Sequence, residues 1–165
     1  MKSAAFFSCG EERPVRRCDA LRGWKRDDMI KKYFNFALAY AIVALAMGVF
    51  YREFTKLSGF DGFTSLSFIH THYFVLGMFF FLVLVLLEKA FSFSTQGKTM
   101  PFVVVYNIGL NIACLAFLVR GVTQVLGIAL ASAPDAALAG IAGIGHILLA
   151  VGLVAILLKV RKSAA

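Results

Sequence analysis

Charge is scarce in this chain and proline scarcer still. Of 165 residues only 16 % are Asp, Glu, Lys or Arg, against 60 % hydrophobic, and the three prolines all lie outside the centres of the apolar runs. So little charge excludes a soluble domain that must cover itself with water-binding side chains. Proline-free runs are free to form continuous helices, which satisfy their own backbone in lipid. The alternating pattern of a membrane β-barrel is missing. Three cysteines, Cys9, Cys18 and Cys114, form neither a Cys-x-x-Cys nor a zinc-type spacing, and the absence of Cys-x-x-Cys-His excludes covalent c-type haem. With the tail on the reducing side, disulfides are not expected. No Ser-His-Asp set, phosphate loop or paired carboxylate suggests a hydrolase or an ATPase, so a binding or electron-transfer protein is expected in preference to an enzyme.

Four apolar runs are present, at residues 33–51, 66–87, 102–131 and 136–158. Each approaches or exceeds the roughly 20 residues needed to cross the hydrocarbon layer. The expectation is an all-α, integral membrane four-helix bundle over residues 29–165, without an internal repeat. The third run is overlong and carries Arg120 and Gln124, so its last turns either project from the membrane or face protein. Residues 1–28 are polar, mixed in charge and aperiodic, and read as a disordered basic tail. Met29-Ile30-Lys31-Lys32-Tyr33 looks like a natural protein start, and the apolar piece at residues 4–7 is too short for a signal peptide.

Basic residues fix the expected orientation. Arg13, Arg16, Arg17, Arg22, Lys25, Arg26, Lys31 and Lys32 precede the first run, Lys89 and Lys98 separate the second from the third, and Lys159, Arg161 and Lys162 follow the fourth. Of Lys and Arg the alternate connections hold only Arg52 and Lys56, both in the first; the second has Asp135 and no basic residue. Both termini are therefore expected in the cytoplasm. The net charge of +8 reads as topology and contact with anionic headgroups of the lipid bilayer, and no nucleic-acid partner is expected.

Ionisable side chains inside membrane segments are costly, which makes the three histidines the candidate functional residues. His70 and His72 are about 200° apart around a regular helix, so only one of them can face His146. His72, the deeper, is taken as that residue, and His70 as an interfacial side chain or one that makes a supporting hydrogen bond near the helix start; the reverse assignment is the alternative. Arg120, Gln124, Arg52 and Glu53 fall in the same outer half. Ala139, Gly143, His146 and Ala150 share one helical stripe, explained either by close helix packing or by clearance for a flat macrocycle. Asn107 and Asn111, one turn apart, are expected to make interhelical hydrogen bonds.

The segments Tyr51-Arg52-Glu53-Phe54-Thr55-Lys56, Leu66-Ser67-Phe68-Ile69-His70-Thr71-His72, Val75-Leu76-Gly77-Met78 and Leu86-Leu87-Glu88-Lys89 resemble a bacterial family of small four-helix membrane proteins of unknown function. The resemblance runs from Met29 to the C-terminus and implies a multi-pass protein of the bacterial cytoplasmic (inner) membrane. Members of that family begin near the position of Met29, and no activity is assigned to them. His70-Thr71 to Gly77, or His72 to Gly77 in the other register, also resembles the haem-ligating helix of haem-copper oxidase and nitric-oxide reductase catalytic subunits, and nitric-oxide-response membrane proteins share a His-x-His opening. Those enzymes use many more histidines, so oxygen reduction is not implied; a single six-coordinate haem is compatible with three histidines on four helices.

The leading expectation is haem b between the second and fourth helices, with His72 and His146 as axial ligands and Arg120 and Arg52 on the propionates. Electron transfer to a membrane redox partner, or haem and gas sensing, would follow. The second is copper or zinc held by His70, His72 and His146, with Glu53 as a further ligand, if the second helix is irregular at its start. The third is a structural or accessory subunit of a larger membrane complex, with no cofactor.

Overall fold

A computed structural model describes residues 12–164, with side chains from residue 21 onward. Regular structure among them is helical: α1 (Glu12–Leu57), α2 (Ser67–Phe91), a 3-10 turn (Phe93–Gln96), α3 (Met100–Val125) and α4 (Ser132–Ala164). All four long helices are apolar and long enough to cross a membrane. Even the 25 residues of α2 span the hydrocarbon core at about 1.5 Å per residue.

Two boundaries differ from those read in the sequence. Residues 12–28, expected to be disordered, continue α1 as helix, while residues 1–11 lie outside the described residues. Pro14 falls in the first turn, where a missing N–H breaks no helical bond, and Leu, Arg, Ala and Lys in the segment favour helix. Further along, Asp28 and Lys32 pair at i,i+4, 2.7 Å apart. The third helix is shorter than its apolar run. It stops at Val125 because Gly127, at φ +67°, closes a left-handed cap: its N–H donates to Gln124 O at 3.2 Å and that of Ile128 to Thr123 O at 2.9 Å. Gly59 ends α1 in the same way, at φ +59°.

The helices pack as two pairs. In the more extensive pair, α3 and α4 meet backbone to backbone: a Cβ on Gly109 would run into the Leu149 backbone, one on Gly145 would stand 2.8 Å from Ala113 N, and one on Gly152 2.7 Å from Tyr106 N. Lipid offers no hydrophobic drive to join helices, so this close approach is what holds them. The seam uses Gly145 and Gly152, not the stripe of His146. Around Gly140 and Gly143 nothing lies within 4 Å of a Cβ, so packing within the chain does not explain that stripe.

Aromatic rings join α1 to α2. Phe81 is fully buried, with ring centroids 5.1 Å from Phe36 and 5.9 Å from Tyr40, and Gly77 lies directly beneath the Tyr40 ring. Here α2 departs from α-geometry, with Tyr73–Phe79 forming a π-helical segment. The Phe80 N–H goes to Val75 O and Gly77 O instead of Leu76 O. Leu76 O accepts the Tyr106 hydroxyl of α3 at 2.7 Å.

Polar bonds tie the two pairs together. Tyr40 donates its hydroxyl to Asn107 Oδ1, Asn111 Nδ2 donates to the Tyr40 oxygen at 3.0 Å, and Tyr73 donates to Asn111 Oδ1 at 3.1 Å. These are the interhelical bonds expected of Asn107 and Asn111. At one end of the bundle the connection 58–66 docks on α3, with Thr64 donating to Gly121 O and Gln124 Oε1 accepting the Ser65 N–H at 2.8 Å. At the other end Glu88, fully buried, accepts from the backbone and hydroxyl of Ser94 at 3.1 and 2.7 Å.

Candidate functional site

His72 and His146 face each other across α2 and α4. Their ring centroids are 6.3 Å apart with the planes at 88°. Phe117 of α3 completes a cluster of three rings, 5.1 Å from His72 and 5.9 Å from His146. His72 is partly buried, whereas His146 is exposed on the outer face of the chain. A groove of about 280 Å³ is lined by Thr71, His72, Val75 and Leu76 of α2.

Both imidazoles are anchored in the same way. Nδ1 of His72 lies 2.8 Å from Phe68 O, and Nδ1 of His146 lies 2.7 Å from Ala142 O, each one turn back on its own helix. A carbonyl oxygen only accepts, so Nδ1 carries the proton and, in the neutral ring, Nε2 keeps its lone pair. A backbone carbonyl behind one imidazole nitrogen is the usual support for a metal bond at the other.

His70 points elsewhere. It packs against α1, its ring stacked on Tyr51 at 6.3 Å and its Cβ beside Gly48, with Nδ1 buried and without a hydrogen-bond partner. The helix is regular from Ser67 to His72 and the π segment begins only at Tyr73, so both histidines precede the irregularity and their 200° separation is kept. The three-histidine copper or zinc set is therefore not assembled. Among the described residues no three His, Cys, Asp or Glu side chains are grouped to hold an ion.

The arginines are already paired. Arg120 donates from one terminal nitrogen to Asp135 Oδ1 at 2.7 Å and to Asp135 O at 3.1 Å, tying α3 to the first turn of α4. Arg52 lies 3.9 Å from Glu53 at the exposed end of α1, the helix that His70 faces and His72 does not. Neither Arg52 nor Glu53 is brought to the histidine pair. Phe117 is the member of the cluster that sequence reasoning missed; an aromatic residue in an apolar helix carries no signal until the helix rotation is known.

No curated protein and no solved structure matches the chain. A family model described as a protein of unknown function (DUF2871) matches residues 30–163, and the chain, with its four membrane-length helices, belongs to that family.

Proposed function

We propose that this multi-pass membrane protein ligates the iron of a b-type haem through Nε2 of His72 and His146. The observation that carries this reading is the matched anchoring of the two imidazoles, each with Nδ1 bound to its own helix and the rings 6.3 Å apart. Two Fe–N bonds of about 2 Å, extended by the half-width of each ring, need a centroid separation of this size. Haem supplies four nitrogens of its own and asks the protein for two. A bare zinc or copper ion asks for more, so a pair without a third ligand favours haem.

Access is from the side. The groove at His72 and the open face along Gly140 and Gly143 offer a flat macrocycle an approach from outside the bundle. Phe117 flanks the space between the imidazoles, and its ring must swing out as the macrocycle enters. Arg120 would exchange Asp135 for a propionate, while Arg52 sits beside Glu53 on α1, the helix that His70 faces. A six-coordinate bis-imidazole iron suits one-electron transfer to a membrane partner, or haem sensing, in the bacterial cytoplasmic membrane.

The optical spectrum of the full chain in mild detergent tests the reading. A Soret band with a sharp α band on dithionite reduction supports it. The same open face of α4 also suits a partner subunit, since small residues let membrane helices approach. A protein that stays colourless after incubation with haemin supports that accessory role and rejects the haem.

A further inference from the structure

A second cavity lies at the end of the bundle where α4 finishes. It holds about 320 Å³ between α1, the turn after α2 and the start of α3. Met29, Met100 and Pro101 give it apolar walls, and Lys25 and Lys98 stand at its rim. Thr99 also lines it. Only 3 % of Thr99 is exposed, and its hydroxyl is buried without a hydrogen-bond partner. A threonine preceding a helix ordinarily caps the first turn, yet here the side chain makes no capping bond, and the positive end of α3 is left open. An idle buried hydroxyl is costly unless something else binds it.

Cations converge on the same turn from three elements. Lys25 Nζ of α1 donates to Gly97 O at 3.3 Å and keeps further protons to offer. Lys159 Nζ of α4 would stand 3.2 Å from a Cβ on Gly97, and lies 5.6 Å from the centroid of the Phe102 ring. Lys98 completes the set. Nearby acids are occupied: Glu88 by Ser94, Asp28 by Lys32 and Asp27 by Arg26.

We propose that this cavity binds the phosphate group of an anionic phospholipid. Lys25 and Lys98 hold the phosphate oxygens, the Thr99 hydroxyl donates to one of them, and Met29, Met100 and Pro101 cover the glycerol and the first acyl carbons. Basic pockets between membrane helices bind headgroups in this way. A free phosphate shares the chemistry but makes no use of the apolar walls.

Native mass spectrometry of the full chain, titrated in detergent with dioleoyl phosphatidylglycerol or dioleoyl phosphatidylcholine, tests the proposal. The expected result is a one-to-one phosphatidylglycerol adduct roughly tenfold tighter than that of phosphatidylcholine. Lys25→Gln with Lys98→Gln should erase the preference. Thr99→Val keeps the shape and removes the hydroxyl; it should weaken the adduct while leaving the unfolding temperature of the lipid-free protein unchanged or higher, which a structural threonine would not do. Inorganic phosphate at millimolar concentration should not displace the lipid. Displacement would keep the phosphate site but overturn the lipid as its source. Equal binding of the two lipids, or a preference that survives both variants, overturns the site.

Discussion

The imidazoles of His72 and His146 stand perpendicular, 6.3 Å apart, each fixed by a hydrogen bond to the carbonyl one turn behind it. Those bonds select the same tautomer in both rings and leave two basic nitrogens on facing helices. Nothing in helix packing requires this. The contacts that hold α3 to α4 lie on another face, at Gly145 and Gly152.

The π segment of α2 and the hydroxyl of Tyr106 form one unit. Tyr106→Phe leaves Leu76 O without its partner and should cost about 0.6–1.7 kcal/mol, the range for such bonds between membrane helices. Gly77→Ala forces a methyl into the Tyr40 ring and should cost about 1–3 kcal/mol. Unfolding of each variant by SDS titration measures both effects. Parental stability in Tyr106→Phe would mean that the Leu76 carbonyl is satisfied within its own helix.

Glycines on α4 divide into two classes. Gly152→Val pushes against the backbone of Tyr106 and should lower stability by about 1–3 kcal/mol. Gly140→Ala meets open space and should stay within about 1 kcal/mol of the parent. Reversal of that order in the same titration would contradict the α3–α4 seam.

Lys and Arg asymmetry predicts both termini in the cytoplasm. In a background with Cys9, Cys18 and Cys114 replaced, a membrane-impermeant maleimide added to intact cells should label Asp61→Cys and Ala131→Cys and miss Gln96→Cys. Ready labelling of Gln96→Cys would invert the orientation.

The four spans were legible in the sequence because each is a continuous apolar run bounded by charge or glycine. Helical rotation within one element was legible too: 200° between residues two apart separates His70 from His72 in the structure as in the sequence. What hydropathy cannot carry is how one helix is turned against another. That is why Phe117 carries no signal in the sequence, why Arg52 is expected at a propionate although it sits on the helix that His70 faces, and why the partners of Asn107 and Asn111 emerge only in the structure, as Tyr40 and Tyr73. Residues 126–131 are as apolar as helix, and the left-handed Gly127 alone stops α3 before them. Residues 12–28 form helix on local propensity, which leaves no apolar periodicity to read.

Haemin titration into the full chain in detergent, followed at the Soret band, tests the central claim most directly. The parent and His70→Ala should bind one haem per chain with a six-coordinate, low-spin spectrum. His72→Ala and His146→Ala should each lose the cofactor or retain it only as a five-coordinate, high-spin form, with helical circular dichroism unchanged in all four proteins. A parental spectrum and affinity in His146→Ala, or their loss in His70→Ala alone, would contradict the account.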